Sequence, residues 1–311
     1  MASPSLDDLA AFAAVARRLS FRAAAVERGV SASALSQAVR DLEDQLGTRL
    51  LHRTTRSVAL TEAGTRLLSR LAPALVELSA AVDAVHLTEG VPAGLLRINA
   101  PPPAVDLVLA PLISAFLKQH PRVRVEVVAE SALVDIVAEG FDAGVRWDES
   151  LARDVVALPL CGPQRFVVVA APELLARVGV PRRPQDLVQC PCLRIRFSSG
   201  RRPGWEFERG EERVVVDPEG PLVGSHGPLL LRAALDGVGF VHTFEGYVAE
   251  HVAAGRLVPV LDDWLPPFPG PRLYSPSRRR LPPPLQAFVD FVRARGREGR
   301  WTDTSPPLSA V

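Results

Sequence analysis

The chain has 311 residues, enough for about two domains and for cores of ordinary size. Apolar residues make up 47%, charged residues 23%, and 36 Lys plus Arg stand against 35 Asp plus Glu for a net charge of +1. This balance excludes a disordered chain and a collagen-like fibre and, taken as a whole-chain figure, argues against a phosphate-binding surface. No charge-free apolar run approaches the roughly 20 residues of a membrane span. Asp7 and Asp8 stand where an export signal would be positive, so a cytoplasmic protein without a membrane partner is expected. Cys161, Cys190 and Cys192 lack the spacing of metal ligands. They read as reduced thiols, and neither a metal nor a cofactor is expected.

Leu6, Leu9, Phe12, Ala13, Ala16 and Leu19 recur at three- and four-residue spacing and predict a first helix with one apolar face. Ser20 caps a second, Phe21 to Arg28, whose alanines allow close approach and which Gly29 ends. Val30 is expected to point into the core, and Ser31 caps a third helix from Ala32 to Leu46, closed by Gly47. On this helix Leu35, Val39, Leu42 and Leu46 form the buried stripe, which leaves Ser33, Ser36, Gln37 and Arg40 on the polar face. Such a face, uncharged at its start, suits insertion N-terminus first into a major groove, where hydroxyls, amides and an Arg read base edges.

Leu50 to His52 and Ser57 to Leu60 flank the turn Arg53-Thr54-Thr55-Arg56 as a two-stranded wing, with Arg53 and Arg56 set to meet phosphates. A long helix then runs from Thr61 to about Thr88. Its residues Leu68, Leu71, Leu75, Leu78, Val82 and Val85 are spaced 3, 4, 3, 4, 3, as in a two-stranded coiled coil. Packing of this stripe onto the protein's own body is the competing reading, and Pro73 would bend the helix. Dimerisation is preferred, because one winged helix touches too few base pairs to be specific.

The string Ser20 to Gly64, SFRAAAVERGVSASALSQAVRDLEDQLGTRLLHRTTRSVALTEAG, closely resembles the N-terminal domain of LysR-type transcriptional regulators. The resemblance implies that Ser31, Ala32, Ser33, Ser36, Gln37 and Arg40 enter the major groove of double-stranded promoter DNA and that Arg53, Thr55 and Arg56 belong to the wing. Ala32 departs from the pattern, since many members carry a polar residue there.

Gly90 to Gly94 is a short hinge. Strands and helices then alternate: LLRINA, the helix VDLVLAPLISAFLKQHP, VRVEVVAE, the helix ALVDIVAEG and FDAGVRW predict a first lobe with a parallel sheet. FVVVAAP, CLRIRF, RVVVD, PLVGS, GFVHTF and LVPVL, with helices near 172–178 and at PLLLRAALDG and YVAEHVAAG, predict a second lobe. PRLYS and a helix from about 285 to 295 come last and are free to return to the first lobe. The segments LVDIVAEGFDAGVR and LRAALDGVGF resemble the effector-binding domain of the same family, which is similar to type 2 periplasmic binding proteins. This implies a small-molecule effector between the lobes, assembly as a homodimer or homotetramer, contact with RNA polymerase and a nucleoid-associated protein. The expected division is 1–61 winged helix-turn-helix, 62–90 linker and dimerisation helix, 91–300 two-lobed effector domain with its second lobe at about 165–265, and 301–311 tail.

Strand ends nominate the effector residues, because ligands of such sheets bind at carboxyl ends of strands: Ala100, Pro101, Ser131 and Arg146 in the first lobe, Ser198, Ser225, His226 and His242 in the second. Ser131 and Ser225-His226 are each read as starting a helix, which offers N–H groups to an anion. The loop Ala100-Pro101-Pro102-Pro103-Ala104 lacks N–H donors at its prolines, so this corner is expected to receive a carboxylate poorly and an aromatic or partly apolar effector is expected. None of G-x-S-x-G, H-E-x-x-H, G-x-G-x-x-G or a phosphate-loop Gly-Lys pair occurs, so no enzyme is expected. The alternative is a small-molecule binding protein or enzyme of binding-protein fold carrying an accessory DNA-binding-like head. Charge by segment favours the regulator: residues 17–70 carry ten Arg against five acids, residues 71–94 three acids and no basic residue, and residues 95–311 26 basic against 25 acidic. Neutrality is an average over a basic head and a large balanced body.

Overall fold

The computed structural model describes residues 4–54, 57–85, 91–132, 135–136, 139–147, 157–275 and 281–297; between 73 and 85 the side chains of 73, 76, 77 and 79–85 lie outside the description. Among the described residues no helix is long and apolar enough to cross a membrane.

The head begins with α1 (Leu6–Arg18), α2 (Phe21–Arg28) and α3 (Ala32–Leu46). Serines start all three: Ser5, Ser20 and Ser31 accept the N–H groups of Asp8, Ala23 and Ala34. Gly29 and Gly47, at φ +66° and +64°, end α2 and α3 in the left-handed region that glycine enters without strain. Phe12, Val15, Ala24, Leu35, Val39 and Leu42 meet in one core. Val30 departs from expectation and is 45% exposed, because its N–H closes the α2 cap on the Ala25 carbonyl, which places it in the turn. Leu46, in the last turn of α3, is likewise exposed.

The wing is β1 (Leu51–Arg53) paired antiparallel with β2 (Val58–Leu60). Thr54 and Ser57 exchange hydrogen bonds across its turn. Thr55 and Arg56 lie outside the described residues. From Thr61, whose hydroxyl accepts the Gly64 N–H at 3.0 Å, α4 (Glu62–Val85) continues past Pro73. Its apolar stripe divides: Leu68, Leu71 and Leu75 pack into the head's own core, whereas Leu78 is 43% exposed. The first half of the expected coiled-coil seam therefore serves the competing reading, and Val82 and Val85 fall outside the described side chains.

The body holds two five-stranded sheets. The first, in order β4-β3-β5-β14-β6, comprises β3 (Gly94–Ala100), β4 (Val123–Ala129), β5 (Ala143–Arg146), β6 (Ala157–Pro159) and β14 (Arg272–Tyr274). The second, β11-β8-β12-β7-β13, comprises β7 (Phe166–Ala170), β8 (Cys192–Ile195), β11 (Leu222–Gly224), β12 (Phe240–Phe244) and β13 (Val258–Val260). Each sheet is mixed rather than all parallel: β4-β3-β5 and β11-β8-β12 run parallel, and the other pairings are antiparallel. The chain crosses to the second lobe after β6 and returns before β14, and the returning strand enters from the opposite end. An unforeseen strand, β9 (Trp205–Arg209), forms a hairpin with β10 (Glu212–Val216).

Helices cover the sheets. Between β3 and β4 runs a helical stretch of α5 (Pro102–Ala104), a π turn (Val105–Leu109) and α6 (Ala110–Gln119). Pro111 has no N–H to offer the Leu107 carbonyl, and the turn ahead of it widens so that the Ala110 N–H reaches Val105. The remaining helices are α7 (Pro172–Val178), α8 (Gly227–Leu235), α9 (Glu245–Ala253) and α10 (Pro283–Arg297). Of the expected helix ALVDIVAEG, none of the described residues 132, 135, 136, 139 and 140 is helical, and the others lie outside the described residues. Strand alternation turns Leu96, Ile98 and Ala100 of β3, with Ala143 and Val145 of β5 and Leu273 of β14, toward α6 and α10. Asn99, Gly144, Arg146 and Tyr274 consequently share the opposite face.

Candidate functional site

On the head, the buried stripe Leu35, Val39 and Leu42 leaves Ser31, Ala32, Ser33, Gln37 and Arg40 exposed and Ser36 half-buried. The exposed groups are ordered locally. Ser31 and Ser33 share a hydrogen bond of 3.0 Å, Arg40 donates to Gln37 at 3.0 Å, and Gln37 donates to Asp41 at 2.7 Å. The guanidinium of Arg53 is engaged on three sides, by Glu43 at 2.8 Å, by Ser36 at 3.2 Å and by the Phe21 ring at 4.9 Å. The other carboxylate oxygen of Glu43 accepts the N–H groups of Leu50 and Leu51. One carboxylate thus ties α3 to the start of the wing. Arg53, expected as a phosphate contact, is engaged within the head, where it joins the wing to α3. Glu43 and Phe21, which complete the brace, were not anticipated, since partners ten and thirty-two residues away carry no periodic signal.

In the body, the two crossings between lobes are joined by a reciprocal pair of 2.8 Å backbone hydrogen bonds between Gln164 and Phe268. Trp147, just beyond β5, donates to the Gln164 side chain at 3.2 Å and stacks on Phe244 of the second lobe at 5.3 Å. Phe166 continues this aromatic row between Phe244, Phe268 and His242. Tyr247 of α9 donates to Asp106 of the π turn across the lobes at 2.7 Å, and burial and the nearby carboxylate push its phenol well above the usual range.

A model of the bacterial regulatory helix-turn-helix protein, lysR family, matches residues 6–65, and the LysR substrate binding domain matches residues 89–297. The chain belongs to the LysR family of transcriptional regulators. It is 39% identical over 289 residues to the HTH-type transcriptional regulator YcaN of Escherichia coli, covering 93% of this chain and 95% of that one. Among solved structures, a full-length AphB variant matches with a TM-score of 0.69 at 25% identity, covering 93% and 98% of the two chains. CrgA from Neisseria meningitidis, a LysR-type transcriptional regulator, matches with a TM-score of 0.57 at 28% identity, covering 94% and 99%. As a LysR regulator, the protein joins a DNA-binding head to an effector-binding body.

The eight residues expected at the effector site separate. Arg146 ends β5, 4% exposed, and donates to the Val145 and Ala132 carbonyls and to Asn99; burial lowers its pKa. Ala100 turns its side chain into the core, so only its backbone faces the strand end. Pro101 is buried at the start of α5. Ser131 is exposed after β4 and begins no helix. Ser198 sits in an exposed turn after β8, and Ser225 and His226 are exposed between β11 and α8, at the matching end of the second sheet. His242 lies within β12 rather than at its end, stacked between Phe166 at 4.7 Å and Trp205 at 5.4 Å. Burial, with Arg194 adding to it, pushes its imidazole down to about 3. His242 is a neutral packing element. Asn99 was overlooked, although alternation along LLRINA places it opposite Leu96, Ile98 and Ala100.

Proposed function

We propose that this LysR regulator binds double-stranded promoter DNA as a dimer, paired into a homotetramer, and that a small molecule between the lobes sets its output to RNA polymerase. The observation that carries the reading is the exposed polar face of α3 held rigid by the Glu43–Arg53 brace. Ser31, Ala32, Ser33, Ser36, Gln37 and Arg40 meet the major groove, and the wing, with Thr55 and Arg56, lies along the backbone. Residues 1–61 form the DNA-binding unit, 62–90 the linker through which the dimer forms from Leu78 onward, 91–300 the effector-binding unit and 301–311 a tail. The Trp147–Phe244 pair offers an aromatic or partly apolar effector a flat surface between the lobes. The protein carries out no chemistry of its own and works at the nucleoid in the cytoplasm.

A gel-shift titration against the DNA upstream of its own gene at low salt tests this reading. The wild type is expected to bind a specific fragment, Gln37→Ala to lose preference at particular bases while keeping non-specific affinity, and a chain lacking residues 1–90 to bind nothing. Equal binding of all fragments by wild type and Gln37→Ala would remove α3 as the reading helix.

A further inference from the structure

The two sheets of the body each bury one arginine, and they treat the charge differently. Arg194 of β8, 2% exposed, meets the carboxylate of Asp217 at 2.5 Å together with the carbonyls of Pro203 and Pro218. Arg146 of β5 meets only neutral oxygens: Val145 O at 2.6 Å, Asn99 Oδ1 at 2.6 Å and Ala132 O at 2.8 Å. Among the described residues no carboxylate pairs with it. Among the described residues its Nε, like that of Arg194, has no partner, and neither has Nδ2 of Asn99, which is fully buried. Taking a guanidinium out of water without an anion costs several kcal/mol, and an enclosed donor without an acceptor costs about 1–3 kcal/mol more. Both donors belong to one hydrogen-bonded pair, Arg146 and Asn99, and so to one place.

That place is the carboxyl end of the parallel strands β3 and β5, where ligands of α/β sheets bind. The Ala132 carbonyl reaches the guanidinium from the exposed pair Ser131–Ala132 that follows β4. Gly144, beside Asn99 in the register, keeps the sheet surface flat there, since a Cβ would run into the Tyr274 ring. The prolines of the next loop have no N–H to offer an anion, so the donors of this corner are Arg146 and Asn99. A guanidinium fork matches the planar, two-oxygen geometry of a carboxylate better than that of a point anion.

We infer that the effector is a carboxylic acid whose carboxylate is received by Arg146 and Asn99, taking over the guanidinium edge that the Ala132 carbonyl now occupies. This rests on reading the two-lobed body as the effector-binding unit. Together with the Trp147–Phe244 pair it favours an aryl carboxylate over a dicarboxylate, a distinction the test also reads.

The test compares benzoate and succinate with their neutral counterparts benzamide and succinamide on the full-length chain, by thermal shift and titration calorimetry. Acids at several times their Kd are expected to raise the melting temperature by about 2–4 °C and the amides to leave it unchanged, benzoate acting at lower concentration than succinate. Asn99→Asp, nearly isosteric, builds a carboxylate beside Arg146; it is expected to melt higher than wild type without ligand and to lose the response to both acids. Arg146→Met is expected to lose the response as well, and circular dichroism reports whether it folds. Equal shifts with acids and amides, no shift with millimolar acid, or an undiminished acid response in Asn99→Asp would each overturn the carboxylate assignment. Binding to upstream DNA is scored on the same samples: a protein that binds DNA yet fails these arms loses only this assignment, while one that binds no DNA loses the regulator reading.

Discussion

The two lobes share a sheet order and a layered build, yet they use buried polar groups for different ends. In the second lobe Arg194 spans the roots of the β9–β10 hairpin, holding Pro203 on one side and Asp217 and Pro218 on the other, and His242 fills the space beneath as a neutral ring between Phe166 and Trp205. Every strong acceptor that Arg194 meets belongs to a segment it fastens. In the first lobe Arg146 meets no carboxylate among the described residues, and, beside an Nε as unpartnered as that of Arg194, Nδ2 of Asn99 remains unspent. The difference teaches that burial of a charge alone does not mark a site. What separates a fastener from a receptor is whether the neighbours already balance the charge.

The sharpest way to break this comparison is to remove the fastener. Arg194→Met leaves the Pro203 and Pro218 carbonyls without their donor, and is expected to lower stability by about 2–4 kcal/mol, with faster proteolysis at the hairpin. Asp217→Asn should cost less, about 1–2 kcal/mol, because it leaves the carbonyl ties in place and Asp217 itself is 74% exposed, although the 2% exposed Arg194 loses its counter-charge. Urea unfolding of both variants measures the contrast. Similar losses would mean that charge pairing, not the tie to the two carbonyls, fastens the hairpin.

His242 gives the second lobe a pH dependence that the Arg146 pocket does not require. Its native pKa lies near 3, below the ordinary value of about 6.5 in an unfolded chain. Above that value neither state takes up a proton. As pH falls from there toward 3, the unfolded state binds a proton that the native state refuses, so stability present above pH 6.5 is progressively lost. The expected loss is about 2 kcal/mol at pH 5 from this one group. His242→Phe should keep the stacking and flatten that slope. An unchanged slope in chemical unfolding at pH 7 and pH 5 would assign the dependence to other groups.

Local rules carried much of the architecture. Capping serines at 20 and 31 and glycines at 29 and 47 place the head's second and third helices, and apolar runs such as LLRINA and FVVVAAP mark the sheets. Misses occur where a distant partner decides. The stripe on α4 is equally apolar whether it meets a second copy or its own head, and only packing shows that Leu68, Leu71 and Leu75 close the head's core. The β9 strand WEFER carries acids on its outward face and presents little apolar run to read, while Trp205 and Phe207 are buried beneath. ALVDIVAEG has a helical pattern, but Phe141 just beyond it docks against Arg97 and the Gly140 carbonyl is taken by the same guanidinium, so the end of the segment is fixed by a partner that its periodicity does not show. Of the candidate effector residues, Arg146 was legible from its place at a strand end. That no carboxylate touches it among the described residues was not, since that depends on everything folded around it.

The head offers a third arginine against which to calibrate the contrast. Arg53 resembles Arg194, because Glu43 balances it and the pair ties one element to another. If it braces the wing, Arg53→Ala should weaken DNA binding about tenfold, the equivalent of losing one charge-assisted hydrogen bond, and leave the slope of log affinity against log salt unchanged. A direct phosphate contact would instead reduce that slope by about 1. Glu43→Gln, which removes no positive charge, should weaken binding to a similar degree. Tight binding by Glu43→Gln with a shallower slope for Arg53→Ala would return Arg53 to the phosphate backbone.

The smallest effect concerns how the two lobes meet. Tyr247 of the second lobe donates to Asp106 of the first at 2.7 Å, in the π turn that Pro111 imposes, and Leu107 of the same turn lies against Gly246. The bond is exposed, so Tyr247→Phe should cost no more than about 1 kcal/mol of stability while retaining the ring's packing. Its consequence should fall on the relation between the lobes rather than on either one. With the latch removed, closure over a ligand loses one of its contacts, and affinity for an acid held at Arg146 should drop by up to about fivefold, about 1 kcal/mol, although Tyr247 belongs to the opposite lobe. Asp106→Asn keeps an acceptor for the phenol and should recover most of that loss. If Tyr247→Phe binds benzoate as tightly as wild type, the lobes are set by the Gln164–Phe268 crossing and the Trp147–Phe244 stack alone, and the receptor in the first lobe works without help from the second.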